Sequence, residues 1–268
     1  MQSINIIKNF FWKFLDFPKF IFPNNYVRFA DPESYYIDKL LSQIKVSKKE
    51  RSVALDAGAG NQNKKPYLVS KGYEYESCDF EHVFDKNAIS TLTHVCSVEQ
   101  MTMPDCKYDL IISIQVLEHL KDPEKAISEM YRVLSPGGLI FLSTNFLYPE
   151  HGSPHDYFRF TKYGLIALFA RNRFNLLAIE SHGGFLAMCA QFFHEAPSYF
   201  RNYIIFGCVN PLKENKPKIN RLPLLLIVII PLFLFNLFFQ ALAFVLHFLD
   251  RFDKNQRYSL GYSVIAIK

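Results

Sequence analysis

The apolar run Ser52-Val53-Ala54-Leu55 passes directly into Asp56-Ala57-Gly58-Ala59-Gly60, and this junction constrains the fold more than any other feature of the chain. A short, β-rich run of this kind reads as a buried strand. Two glycines one residue apart let the backbone turn sharply at its end and approach a ligand with no Cβ in the way. The same punctuation recurs downstream in YEYESCDF, LTHVCSV, YDLIISIQV and GGLIFLSTNF, each a short apolar run bounded by turn residues. Between the last two, DPEKAISEMYRVLSPGG reads as a helix, with Asp122 as N-cap, Pro123 in the first turn and Ile127, Met130, Tyr131 and Leu134 as the buried stripe. Strands alternating with helices predict an α/β fold: a mostly parallel, Rossmann-like sheet with helices on both faces, whose ligands bind beyond the carboxyl ends of the strands.

Other elements extend this pattern. Residues 33–46 carry Ile37, Leu40, Leu41 and Ile44 on one helical face, so a helix is expected ahead of the first strand. Thr161 to Arg171 reads as a helix, FNLLAIESHGG as a strand, and SLGYSVIAIK as a closing strand. The segment MQSINIIKNFFWKFLDF has neither the long apolar core nor the cleavage site of a signal peptide. Its Ile4, Ile7, Phe11, Phe14 and Leu15 recur at helical spacing, which fits an in-plane membrane helix or a terminal helix packed on the core. The five cysteines are irregularly spaced, which predicts free thiols in a reducing cytoplasm and no metal site. The net charge of +5 comes from dispersed basic residues beside apolar stretches, a pattern that suits an anionic membrane surface and speaks against nucleic acid.

The glycine loop by itself implies only a nucleotide-like cofactor. A dinucleotide fits poorly, because its pyrophosphate wants three glycines leading directly into a helix, whereas this loop continues Asn61-Gln62-Asn63-Lys64-Lys65-Pro66. Asp79 ends the second strand where an acidic side chain can accept both hydroxyls of a ribose. From Val53 to Phe146 the order VALDAGAGN, CDF, YDLIISIQVLEHLKDPEKAISEMYRVLSPGGLIFLSTNF resembles class I S-adenosylmethionine-dependent methyltransferases, of the methyltransferase type 11 kind. The resemblance implies S-adenosyl-L-methionine as cofactor, with Asp56, Gly58 and Gly60 forming its loop and Asp79 holding the ribose. Cys96, Ser97 and Val98 would lie beside the adenine and Gln115 near the sulfonium. Two positions depart from the family pattern. Gln62 replaces a frequent glycine, and Cys96 replaces a frequent acidic residue, removing an acceptor for the adenine amine.

Methyl transfer is an in-line displacement that needs an aligned nucleophile and, for an oxygen acceptor, removal of its proton. His119 and His155 follow predicted strand ends and are the candidate bases. Tyr157 and Arg159 are candidate acceptor-binding residues, with Arg159 suited to a phosphate or carboxylate. The bland alternative is a capping network in which Asp156 pairs with Arg159.

From Leu222 to Leu249 no residue is charged, a run of roughly 28 residues, long enough for one tilted membrane span. It lies between two strands expected to be neighbours, so the insertion must leave and return on one side of a membrane. Two crossings would need about forty apolar residues. A re-entrant or in-plane hairpin broken near Pro231 is therefore expected, with Asn236 and Gln240 as polar interruptions. Flanking Lys213, Lys216, Lys218 and Arg221, then Arg251, Lys254 and Arg257, place both ends on the cytoplasmic face. The alternative is a hydrophobic homodimer face or an extended core. The expected organisation is an amphipathic segment 1–32, a methyltransferase domain 33–183 with 258–268, and the apolar insertion 184–257. The expected function is methyl transfer, with O-methylation the expected chemistry, to an amphiphilic acceptor such as a lipid-linked saccharide or a lipid. The rival is an inactive membrane-bound scaffold that keeps the fold.

Overall fold

The computed structural model describes residues 32–44, 51–80, 90–206, 222–253 and 257–268. Of the amphipathic segment expected at residues 1–32, all but Pro32 lies outside the described residues, as do the basic residues Lys213, Lys216, Lys218, Arg221 and Lys254. The described residues fall into two compact units, one within 37–182 and 260–268, the other within 32–36 and 183–259.

The first unit is built around one sheet. Strand β1 (Ser52–Ala57) is buried along nearly its whole length, the continuous apolar pattern of a strand covered on both faces. It pairs in parallel with β2 (Tyr73–Asp79) on one side and with β4 (Tyr108–Ile114) on the other. The sheet continues through the two-residue β3 (His94–Val95), β5 (Leu134–Asn145), β6 (Asn175–Ser181) and β7 (Gly261–Ile267), in the order β3-β2-β1-β4-β5-β7-β6. Strand β7 is antiparallel to both its neighbours and Val264 pairs with Leu142 and Ile179. The order reverses between β1 and β4, so the carboxyl ends of those two strands open a crevice, the position where ligands bind in such sheets.

Alternate side chains along the strands feed two cores. Leu55, Ile111 and Leu142 point to the face covered by Ile127 and Met130 of α3 (Pro123–Val133) and by Leu165 and Phe169 of α4 (Lys162–Arg171). Ala54, Leu110, Ile112 and Phe141 face Ile37, Leu40 and Leu41 of α1 (Pro32–Leu41) and Leu68 of α2 (Lys65–Ser70). Asp122 caps α3 by accepting the Lys125 amide at 3.0 Å, and Thr161 caps α4 through the Gly164 amide at 3.1 Å.

The second unit holds α5 (Phe185–Phe206, 22 residues) and α6 (Leu222–Asp250, 29 residues), packed on each other. The expected break near Pro231 is not there: α6 runs through Pro231 as one helix. Proline removes one rung of the backbone ladder. Breaking the helix would instead create two new ends, each leaving about four orphaned backbone groups in apolar surroundings. The hairpin is made by α5 against α6, with Phe193 and Phe200 on Phe239 and Phe235 at 5.5 Å each, and His194 Nδ1 at 2.8 Å from Gln240 Oε1.

Candidate active site at the carboxyl ends of β1, β2 and β4

The turn after β1 is held by backbone bonds, with the amides of Gly58 and Ala59 donating to the Cys78 carbonyl at 2.9 and 3.1 Å. Gly58 has φ +79, and a Cβ there would stand 2.3 Å from Val116 Cγ2, so the loop lies tight on the segment after β4. Gly60, at φ +47, faces open space, with nothing within 4 Å of where its Cβ would be. Its amide donates to Asp79 Oδ2 at 2.7 Å, and the Phe80 amide donates to Oδ1 at 2.7 Å. Burial raises the Asp79 carboxyl, while those two amides pull it back.

Asp56 is 5% exposed and accepts the Tyr75 hydroxyl at 3.0 Å. Burial pushes its carboxyl up to about 6 from an ordinary 3.8, against the Tyr75 bond and Lys64, with Asp79 adding to the rise. Between those two values the folded chain holds a proton that the unfolded chain has released. The contribution is therefore fully present below pH 3.8 and is lost as pH rises through 6. Asp56→Asn lacks this titration. In denaturant titrations from pH 4 to 7.5 it is expected to gain about 3 kcal/mol relative to the parent chain, and a constant difference between the two would rule out a raised Asp56.

On the far side of the loop, the Cys96 amide donates to the Asp79 carbonyl at 3.0 Å. A side-chain hydrogen bond from Cys78 lowers the Cys96 thiol to about 6, with burial opposing. Val98 is buried, and Ser97 Oγ accepts the Glu99 amide at 3.1 Å, closing a turn. Glu99, which sequence reading passed over, is a carboxylate on this same turn; its Oε1 accepts the Asp122 amide at 2.6 Å. Gln115 adopts φ +57 at the end of β4, a costly backbone conformation for a residue other than glycine and one that clusters at functional sites.

Past β4, Leu117–His119 form a short 3-10 turn. Fully buried Glu118 accepts Thr144 Oγ1 at 2.8 Å and Asn145 Nδ2 at 3.0 Å, both from the end of β5. His119 Nδ1 donates to the His155 carbonyl at 2.5 Å. Burial lowers the His119 imidazole below its ordinary value, with that bond opposing. The exposed His155 and Tyr157 face each other, Nδ1 to hydroxyl at 3.1 Å. Arg159 binds both oxygens of Asp156 at 2.6 and 2.7 Å, and also the carbonyls of Tyr148, Pro149 and Phe158. Its guanidinium is thus committed to closing the loop rather than directed at an acceptor. The His151 ring, absent from the sequence-based candidates, stacks edge-on against His119 at 4.7 Å.

A sheet reversing between β1 and β4, a two-glycine turn at the reversal and a half-buried acid ending β2 together form a crevice suited to a nucleotide-like cofactor. The family model described as "Methyltransferase domain" matches residues 55–142. A "Probable S-adenosylmethionine-dependent methyltransferase" of Mycolicibacterium smegmatis is 33% identical over 73 residues, 27% of this chain and 28% of that protein. The chloroplastic tocopherol O-methyltransferase of Arabidopsis thaliana is 30% identical over 101 residues, 34% of this chain and 29% of that protein. The matches thus span less than a third of the length of these relatives. The crystal structure of a putative sarcosine dimethylglycine methyltransferase from Galdieria sulphuraria aligns with TM-score 0.52 at 16% identity, covering 87% of this chain and 84% of that one, a likeness of fold. Residues 55–142 are thus similar to the methyltransferase domain of S-adenosylmethionine-dependent enzymes, and the cofactor that this likeness implies is S-adenosyl-L-methionine. The residues fit that group: Gly60 leaves open the space a side chain would fill, next to a half-buried carboxylate suited to ribose hydroxyls.

Proposed function

We propose that this chain transfers a methyl group from S-adenosylmethionine to an oxygen of an amphiphilic acceptor, a lipid or lipid-linked saccharide, while attached to the cytoplasmic face of a membrane. When bound, the cofactor supplies an electrophilic methyl on its sulfonium. Asp79 and the loop through Gly60 hold it, and Gln115 lines the crevice at the end of β4. His155, with its ring fixed by Tyr157, accepts the proton of the acceptor hydroxyl.

The observation that carries the membrane part is the surface of the helix pair. The 20 residues from Pro231 to Asp250 are long and apolar enough to cross a membrane, and only 11% of that window is buried. Phe192 is 69% exposed and Phe238 62% exposed, with Leu234, Val245 and Phe248 also bare. So many exposed large apolar side chains on two adjoining helices go well beyond the scattered ones of ordinary surfaces. Burying ten of them at roughly 1.5 to 3 kcal/mol each would hold the chain on a bilayer. The ends of the insertion meet, since the His182 amide donates to the Gly261 carbonyl at 2.8 Å and the Leu260 amide to the His182 carbonyl at 3.3 Å. That closure supports an attachment in which both ends stay on one side of the membrane and the helix pair enters as a re-entrant or in-plane hairpin. An amphiphilic acceptor follows from that attachment, and the tocopherol O-methyltransferase among the relatives is consistent with it.

The test is transfer of labelled methyl from S-adenosylmethionine into membrane extracts, combined with high-speed sedimentation of detergent-free lysates. The chain is expected in the pellet, and removal of residues 222–249 is expected to release it. His155→Ala is expected to lower transfer by about 100-fold with cofactor binding retained. A fully soluble chain overturns the membrane part, and undiminished transfer by His155→Ala overturns the base.

A further inference from the structure

We propose that Glu118, His119 and His151 form a binding site for one divalent transition-metal ion of the zinc kind. Their ligand atoms lie within 4.8 Å of one another. Ligands in a tetrahedral site with bonds of about 2.0–2.2 Å are roughly 3.3–3.6 Å apart, so closure needs side-chain movement of about 1 Å. What sets this trio apart from a chance cluster is how each member is held.

Both imidazoles are locked in the tautomer that a metal needs. His119 Nδ1 lies against the His155 carbonyl, which can only accept, so Nδ1 carries the proton and Nε2 presents its lone pair. His151 Nδ1 faces the Pro149 carbonyl at 3.3 Å and Asp156 Oδ2 at 3.6 Å, acceptors both. Its Nε2 stands 3.4 Å from Asn145 Nδ2, a donor, and so also carries the lone pair. The orientation of the Asn145 amide is fixed because the same Nδ2 donates to Glu118 Oε1, which cannot donate. Metal-binding histidines characteristically pass their other N–H to a carbonyl or carboxylate in this way.

Glu118 is oriented too, by Thr144 on one oxygen and Asn145 on the other. Asn145, the residue bridging Glu118 and His151, is itself buried, and its Oδ1 has no hydrogen-bond partner. Two imidazoles and one carboxylate favour zinc or its first-row neighbours over magnesium and calcium, which take oxygen ligands. Three protein ligands leave a coordination position for an oxygen of water or of an acceptor. That last role alone rests on the methyl-transfer proposal; metal binding does not.

The full chain in detergent micelles, stripped with EDTA, is titrated by calorimetry with zinc and with magnesium, and by visible spectroscopy with cobalt(II). The expected result is one equivalent of zinc, tighter than magnesium, with a tetrahedral cobalt spectrum. His151→Gln, at a partly exposed position, and the isosteric Glu118→Gln are each expected to weaken zinc by at least about 100-fold with the thermal melt kept. His94→Gln, an imidazole elsewhere on the sheet, is expected to leave it unchanged. No zinc binding by the parent chain, or equal binding by His151→Gln and Glu118→Gln, overturns the site. Zinc binding without methyl transfer would leave the site standing and count only against the proposed reaction.

Discussion

Gly58→Ala and Gly60→Ala, two residues apart in one turn, are expected to fail in different ways. At Gly58 a Cβ would meet Val116 side-chain atoms at 2.3 and 2.7 Å, at a φ of +79. Left-handed strain of about 1–2 kcal/mol and overpacking of about 1–3 kcal/mol add, so Gly58→Ala is expected to lose about 2–5 kcal/mol of stability. At Gly60 the φ of +47 brings only the strain, because nothing lies within 4 Å. That variant is expected to fold with a loss of about 1–2 kcal/mol. Its Cβ would stand in the space beside Asp79, where cofactor binding is expected to weaken at least about tenfold, a change of about 1.4 kcal/mol. Denaturant titration paired with fluorescent S-adenosylmethionine binding separates the two. Equal stability losses would show that Val116 does not crowd Gly58, and unchanged binding by Gly60→Ala would show that the open space at Gly60 is not where the cofactor lies.

The legible part of this fold is the part that depends on local pattern. Strand β1, its glycine turn and the capped helix α3 all follow from short-range rules, because one buried face and one turn residue decide each. The structure gives the same order, with Asp122 as the cap. Helix α5 was not legible. Pro197, His194, Glu195 and Arg201 break up its apolar run, and its packing partner lies beyond a connection outside the described residues. Pro231 misled in the opposite direction, since a proline signal is local whereas the penalty for breaking an apolar helix falls on the whole element. The site divides along the same line. Gly58, Gly60 and Asp79 belong to turns that sequence spacing can mark. His151 is brought to His119 only by a loop that Asp156 and Arg159 fasten, and no spacing rule links residues that far apart. Of the two sequence readings of Arg159, a grip on the acceptor and a pairing with Asp156, the loop holds the second.

Asp250→Ala is expected to loosen the α5–α6 pair by about 3–5 kcal/mol while leaving the sheet intact. Asp250, 3% exposed at the end of α6, accepts the Tyr36 hydroxyl at 2.6 Å, the Gly184 amide at 3.1 Å and the Ala187 amide at 2.8 Å. Asp253 adds the Phe185 amide at 2.9 Å. Helix α5 has no acidic residue in its own first turn, so these carboxylates supply both the cap and the negative charge its N-terminus favours. The same charge is unfavourable at the C-terminus of α6, which makes the clasp worth keeping only while α5 is docked. Truncation orphans two buried amides and the half-buried Tyr36 hydroxyl at once, at roughly 1–3 kcal/mol each. Hydrogen exchange is the direct measure: amides of α5 are expected to exchange about 100-fold faster in Asp250→Ala, with those of β5 unchanged. Unaltered protection in α5 would show that ring packing between the helices, and not the acidic clasp, holds the pair. A uniform loss through α5 and β5 alike would show that the two units unfold together.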